Sequence, residues 1–352
     1  MIILYIRSPM TTQEIKELKQ FLETKKEIVL VPHKNPDGDA VGACLAMYLF
    51  FKNKGHEVTV VAPNDYPEFL KWLPGSNKVL KFDMQNRQSK DAISTADIIF
   101  LLDFNAMQRV GDDMAKTLET FRGPFAIIDH HQQPEDFAKY LYSDISICST
   151  CQMVYQFIDM LGDSDEINAE IATCIYTGIM TDTGSFRFAT TTSTTHRIVA
   201  DLIDKGADNS RIHNNVYDTN SFNRLQLLGR ALSNMIVMEE FATAYITLTQ
   251  DELDEFNFQK GDTEGVVNYA LSVVGVNLAA IFIEDVNNKI IKISFRSKGS
   301  FSVNQFARKY FNGGGHDNAA GGRSEVSMDS TISKFLNCLP TYKHALKHSY
   351  EA

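Results

Sequence analysis

Acidic and imidazole side chains gather at four places in the first half of the chain, each directly after an apolar stretch. His33-Lys-Asn-Pro-Asp37-Gly-Asp39 follows the run 28–31, and Asp103 follows Ile98–Leu102. Asp129-His130-His131 follows 125–128, and Asp182 follows a helical stretch ending at Met180. Pro36 and Gly38 make a tight loop that can turn Asp37 and Asp39 inward together. Four carboxylates crowded in this way repel one another without a counter-charge. Two divalent cations neutralise them, while two imidazoles add neutral donors. Oxygen-rich ligation with some imidazole and no thiolate favours manganese or magnesium over structural zinc. Two such ions about 4 Å apart activate a water and hold phosphoryl oxygens during in-line displacement. A lone Asp at a strand end is usually a turn residue, and a lone His pair is usually a surface pair. The whole set at successive strand ends is what points to a metal centre.

An alternation of strands and helices must position these groups. The apolar runs 28–31, 58–61, Ile98–Leu102 and 125–128 have strand length, and helical sequence such as 40–53 separates them. That pattern describes a parallel sheet covered on both faces. Ligands of open parallel sheets bind beyond the carboxyl ends of the strands. The first three groups therefore converge on one crevice, and a helix over 166–180 brings Asp182 to it. Helical sequence continues at 195–205 and 222–235. After Glu240 the runs 245–248, 278–283 and 290–295 read as strands, and Val303–Tyr310 reads as a helix. The expected fold is α/β: a parallel-sheet catalytic domain over 1–190, a helical segment and linker over 191–238, and a smaller α/β substrate-binding domain over 239–352.

The second domain carries Asn312-Gly313-Gly314-Gly315-His316-Asp317-Asn318-Ala319-Ala320-Gly321-Gly322, with Arg296 upstream in Ser294-Phe-Arg-Ser-Lys298. Glycines let backbone N–H groups approach an anion closely, and His316 can add a donor. Arg296 can grip a phosphate through two parallel hydrogen bonds. From Lys289 to Arg323 there are seven Lys/Arg and one acid, Asp317, in a chain of net charge −10. This local excess suits a phosphate pocket, not a long basic groove. A glycine-rich loop alone marks only a tight turn, and Arg296 with the first-domain motifs gives it weight. Arg187, in Gly184-Ser-Phe-Arg187-Phe, is a further candidate to face the crevice. Arg323, Lys298 and Asn304 are weaker candidates, and each reads first as a surface-charge or capping residue.

Composition bounds the rest. The 352 residues, 44% hydrophobic and 22% charged, describe a globular chain of roughly two domains. The acidic balance argues against coating long nucleic acid. No apolar run approaches the ~20 residues of a membrane span. The apolar residues 1–6 are too short for a signal-peptide core, so a cytoplasmic location is expected. Five cysteines (Cys44, Cys148, Cys151, Cys174, Cys338) indicate no disulfide framework, and Cys148-x-x-Cys151 reads as small packed side chains. His56, His196 and His213 read as solvated, and Trp72 as a packing residue. The oligomeric state stays open.

His33-x-x-x-Asp37-x-Asp39 with Asp129-His130-His131 resembles the DHH phosphoesterase superfamily, over most of the chain. That superfamily includes RecJ exonucleases, manganese pyrophosphatases, cyclic-dinucleotide phosphodiesterases and the NrnA group. The resemblance implies that His33, Asp37, Asp39, Asp103, His130 and Asp182 ligate two manganese ions, with Asp103 bridging. It implies that His131 contacts the scissile phosphate or helps the leaving group, and that Asp129 orients the neighbouring imidazoles. The Gly313-Gly314-Gly315-His316 loop with Arg296 resembles the DHH-associated domain, which implies that Arg296 and His316 hold a terminal phosphate of the substrate. The best resemblance is to the NrnA group, which degrades very short RNA and dephosphorylates adenosine 3′,5′-bisphosphate. Expected partners are therefore short RNA oligonucleotides or small nucleotides, with no long duplex and no membrane. The alternatives are a linear or cyclic dinucleotide (c-di-AMP type) phosphodiesterase and, from another class, a catalytically silent nucleotide-binding protein. Pyrophosphatase activity fits less well, because those enzymes resemble only the first domain.

Overall fold

The computed structural model describes residues 10–349, and the apolar residues 1–6 lie outside them. The chain divides into two units that meet between Thr219 and Asn220. This boundary falls inside the segment 191–238.

The first unit opens with α1 (Thr12–Phe21), β1 (Glu27–Pro32), α2 (Gly38–Asn53), β2 (Glu57–Ala62) and the short β3 (Leu80–Lys81). It continues with α3 (Asn86–Thr95), β4 (Ile98–Leu102), α4 (Asp112–Leu118), β5 (Phe125–Asp129) and β6 (Tyr140–Ser143). Four helices close it: α5 (Thr150–Met160), α6 (Ala169–Asp182), α7 (Ser193–Asp204) and α8 (Asn209–Tyr217). The strands form one sheet in the order β3-β2-β1-β4-β5-β6, and every pairing is parallel. Alternate residues of each strand feed two cores. Ile28, Leu30, Phe100, Leu102 and Ile128 pack with residues of α2, α5 and α6 on one face. Val29, Val31, Ile99, Leu101 and Ile127 pack with Ile93 of α3 and with Met114 and Leu118 of α4 on the other. Burial on both faces is why the strands read as unbroken apolar runs.

The strand order reverses direction between β1 and β4, and that reversal opens a crevice at the carboxyl ends of the strands. Helix α6 starts at Ala169, with the Asn168 side chain capping it, and runs through Asp182. Asp182 is therefore the last residue of the helix and does not lie beyond it. Gly38, at the start of α2, lets the end of α6 come close: a Cβ there would lie 2.3 Å from Thr181 Oγ1. His56 is buried, at 3% exposure, where solvation was expected. Its Nδ1 accepts the Lys26 N–H (3.2 Å), and its ring meets Phe51 edge-on.

The second unit holds α9 (Phe222–Ser233), β7 (Ile236–Met238), β8 (Thr243–Leu248), α10 (Gln250–Glu255), α11 (Val266–Ser272) and β9 (Leu278–Asp285). It ends with β10 (Ile290–Ser297), α12 (Val303–Tyr310), β11 (Gly314–Gly315), β12 (Ala319–Ser324) and α13 (Met328–Lys347). Its sheet runs β11-β12-β10-β9-β8-β7, antiparallel except for β8 with β9. Phe282, Phe295, Phe306 and Phe335 build the core under α12 and α13. Leu227, Ile246, Ala270 and Ile281 build the core under α9 and α11. Among the described residues no helix is long and apolar enough to cross a membrane.

Candidate metal centre and active site

The six expected ligands come together at the strand reversal. His33 follows β1, Asp37 caps the start of α2, and Asp39 lies in its first turn. Asp103 follows β4, His130 follows β5, and α6 delivers Asp182. They form two groups. In one, His33 Nε2 lies 3.4 Å from Asp103 Oδ2 and 3.9 Å from Asp37 Oδ2. In the other, His130 Nε2 lies 3.5 Å from Asp103 Oδ1, 3.5 Å from Asp182 Oδ2 and 3.9 Å from Asp39 Oδ2. The two oxygens of Asp103 thus serve different groups, which makes this carboxylate the shared member.

The donor set fits divalent cations. The Nδ1 atoms of His33 and His130 face the carbonyls of Lys34 (2.9 Å) and Ile147 (3.1 Å). A carbonyl can only accept, so Nδ1 carries the proton in the neutral ring, and the Nε2 lone pair points at the carboxylates. The N···O separations of 3.4–3.9 Å are longer than a formed hydrogen bond. Two donors each about 2.1 Å from one ion stand about 3.0–3.5 Å apart, close to what is seen.

The carboxylates are held from behind. Asp37 Oδ1 accepts the N–H groups of Asp39 and Ala40, which leaves Oδ2 for the site. Asp39 accepts the first two amides of α5, from Thr150 (2.6 Å) and Cys151 (2.8 Å). The positive end of that helix thereby faces an anion. Thr150 Oγ1 donates to Asp103 Oδ1 at 2.9 Å. Asp103 itself has φ +67°, a left-handed conformation that costs less for Asp than for most residues. The turn after Asp182 is also strained: Gly184, Ser185 and Phe186 all have φ between 56° and 65°. Ser185 Oγ is tied to His213 Nε2 (3.0 Å), and the Phe186 N–H donates to Thr183 Oγ1.

Charge at the site is unbalanced without cations. Burial, then Asp103 and Asp182, push the Asp39 carboxyl well up. Burial also raises Asp182, to about 6, against the pull of His130. Burial opposes the charge of His130, but Asp103, Asp182 and Asp39 outweigh it and hold this imidazole well above its ordinary value. His33 is raised in the same way, by Asp103 and Asp37 against burial. Asp103 is held well below the usual carboxylate range: burial opposes its charge, and His130 and His33 overcome it. The cluster therefore favours added positive charge: its carboxylates raise both imidazoles, and those imidazoles hold Asp103 down.

The remaining expected residues fall in three places. The fully buried Asp129 accepts His131 Nδ1–H at Oδ1 (2.6 Å) and the His131 backbone N–H at Oδ2 (3.0 Å). This pair fixes the His131 ring, with Nδ1 also 3.7 Å from Asp103 Oδ1. Arg187 is exposed on the turn after α6, where its Nε donates to the Gly184 carbonyl (2.7 Å). In the second unit, Arg296 on β10 pairs in register with Ala319 of β12, and Gly314 and Gly315 pair with Gly321 and Ala320. The glycine segment is thus one arm of a hairpin whose turn carries His316; the His316 N–H donates to the Ala319 carbonyl at 2.7 Å.

Sequence reading placed a helix after Ser149 and Thr150 but missed that Thr150 and the first amides of α5 hold Asp39 and Asp103. The signal was Ser149, which caps the helix beside a threonine and a cysteine. Cys148 and Cys151 are free and buried, and their thiols donate to Gln152 Oε1 and to the Asp39 carbonyl.

The chain matches the DHH family in both of its units. The N-terminal domain of that family matches residues 27–179, and the DHHA1 domain matches residues 239–339. The chain belongs to the DHH family of phosphoesterases, which makes it a hydrolase of phosphoester bonds. It is similar to "Bifunctional oligoribonuclease and PAP phosphatase NrnA" of Thermus thermophilus, at 32% identity over 89% of each chain. The protein of the same name in Bacillus subtilis is 27% identical over 87% of this chain and 91% of that one. Among solved structures, an exopolyphosphatase-related protein from Bacteroides fragilis superposes with a TM-score of 0.92 at 39% identity, covering 97% of this chain and 100% of that one. RecJ from Thermus thermophilus in complex with Mn2+ shares the fold, with a TM-score of 0.53 at 12% identity over 97% of this chain and 56% of that one.

Proposed function

We propose that the protein is a manganese-dependent phosphoesterase that hydrolyses short RNA oligonucleotides and adenosine 3′,5′-bisphosphate. The observation that carries this reading is Asp103, whose two oxygens face the imidazoles of two separate donor groups. The names of the full-length relatives support the substrate class. His33, Asp37 and Asp103 hold one ion, and Asp39, Asp103, His130 and Asp182 hold the other. When bound, the two ions make water a competent nucleophile near neutral pH and neutralise the phosphoryl oxygens.

The protein's own groups do the rest. His33 and His130 keep their Nδ1 protons on backbone carbonyls, so both rings offer Nε2 without a change of tautomer. Asp129 fixes His131 with Nδ1 protonated, so His131 Nε2 is the atom that holds or delivers a proton to the leaving oxygen. Arg187 is the first unit's own cation for the substrate. Arg296 and His316 grip a phosphate, with the bare backbone of Gly313, Gly314 and Gly315 letting it approach closely. Only a few phosphates then need contact, which reconciles a net charge of −10 with an RNA substrate.

The test is a hydrolysis panel in manganese. It compares an RNA dinucleotide, a long RNA, adenosine 3′,5′-bisphosphate, cyclic di-AMP and pyrophosphate, with Asp103→Asn as the blank. Fast turnover of the dinucleotide and the bisphosphate, with little on the long RNA, is expected. Preference for the cyclic dinucleotide moves the activity to second-messenger turnover at the same site. Metal binding with no turnover of any substrate refutes the proposal in favour of a silent nucleotide-binding protein.

A further inference from the structure

The three loop glycines do not have the same cause. A Cβ on Gly313 would lie 1.9 Å from the Gly321 carbonyl oxygen, and one on Gly315 would lie 2.5 Å from that of Ala319, at φ +147°. The fold itself forbids side chains at both positions. Gly314 is different. The nearest atoms to a Cβ there would be Arg308 Nε at 3.7 Å, Arg308 Nη2 at 3.8 Å and Asn304 Oδ1 at 3.8 Å, all ordinary contacts. The backbone tolerates a methyl group at 314, and what that methyl would fill is the space in front of the Arg308 guanidinium.

That guanidinium is exposed, held at Nε and otherwise uncommitted. Its Nε donates to Asn304 Oδ1 at 2.9 Å, and Asn304 is only 4% exposed on the same helix, α12. Among the described residues its terminal amines meet no acceptor, and no carboxylate forms an ion pair with it. A neutral amide clamp orients the fork and leaves its charge unspent, which an aspartate at 304 would cancel. Seven cations against one acid between Lys289 and Arg323 add to the field there.

We propose that Arg308, oriented by Asn304 across the bare face of Gly314, is a phosphate-binding residue that sets the affinity for nucleotide substrates. A planar fork held at Nε, with its terminal Nη1/Nη2 edge free, matches a phosphate in two parallel hydrogen bonds. The proposal rests on the phosphoesterase reading above, and it gives the second unit a grip separate from Arg296 and His316.

The full chain in manganese, with adenosine 3′,5′-bisphosphate as substrate, tests it. Arg308→Ala raises KM roughly tenfold or more, the worth of a charge-assisted contact, with kcat within about twofold. The dependence of log KM on log salt becomes shallower by about one unit, which a merely structural residue would not change. Arg308→Lys restores the salt slope but not the full affinity, because it keeps the charge and loses the fork. Gly314→Ala raises KM with an unaltered melting temperature. An unchanged KM and salt slope in Arg308→Ala, in an enzyme whose wild type turns over, overturns the proposal. Inorganic phosphate binding in chelator, followed by phosphorus NMR, separates it from the activity reading. Weaker binding by Arg308→Ala than by wild type supports the residue even where wild type hydrolyses nothing, and equal binding sinks it.

Discussion

Asp39→Ala breaks two things at once, and the structure separates them. Asp39 is 1% exposed and accepts the Thr150 and Cys151 amides at 2.6 and 2.8 Å. Without it, two buried donors at the start of α5 have no partner, at about 1–3 kcal/mol each. The opposing effect is relief of charge, because burial, Asp103 and Asp182 all disfavour ionised Asp39. The net destabilisation is then on the order of 2–4 kcal/mol, or about 5–15 °C for a unit of this size. The assay is thermal melting in excess chelator, so that metal binding does not contribute. Asp182→Ala is the comparison. Asp182 lies 3.5 Å from His130, and burial raises its carboxyl to about 6. Its removal relieves repulsion and leaves the metal-free melting temperature equal or higher. Both variants lose manganese-dependent turnover, but only Asp39→Ala loses metal-free stability. An Asp39→Ala protein that melts within about 1 °C of wild type in chelator refutes the claim that this carboxylate anchors α5.

Other perturbations have equally definite signs. In chelator, stability increases as pH falls from 7 to 5. Asp182, Asp39, His130 and His33 all have folded values above their unfolded ones, so the native state binds more protons there. Asp103, held well down, takes stability away only at lower pH, as it protonates. A denaturation series with an optimum at or above pH 7 in chelator contradicts this charge balance. Manganese at a hundred times its dissociation constant raises the melting temperature of the first unit by about 5–11 °C, from roughly 2.7 kcal/mol of linkage. Asp103→Asn removes most of that shift, and a full shift in this variant denies Asp103 its bridging place. Gly313→Ala forces a Cβ to 1.9 Å from the Gly321 oxygen. It lowers the melting temperature of the second unit, and manganese affinity, measured by titration, stays at the wild-type value.

Much of the site was legible because its residues stand where strands stop. His33, Asp103 and Asp129-His130-His131 each follow a run that both sheet faces bury, and such runs are visible without structure. Asp182 was visible as the end of an apolar helix. The amides that hold Asp39 were not, because backbone groups of residues 150 and 151 have no signature of their own. His56 was misread because its polar neighbours hid its contacts with Phe51 and with the Lys26 N–H. The glycine segment showed its composition but not its pairing. Only the register of β11 on β12 shows that two of its glycines answer to the backbone and the third does not.

The approach of α6 to α2 across Gly38 and Thr181 has a consequence for how the protein is made. Five of the six proposed ligands have left the ribosome once His131 emerges, yet the amides that restrain Asp39 follow later, and the sixth ligand comes only when α6 is complete. A nascent chain stalled between those points presents a loose, acid-rich half-cage. On the proposed reading, the geometry that shares Asp103 between two ions is complete only once α6 docks.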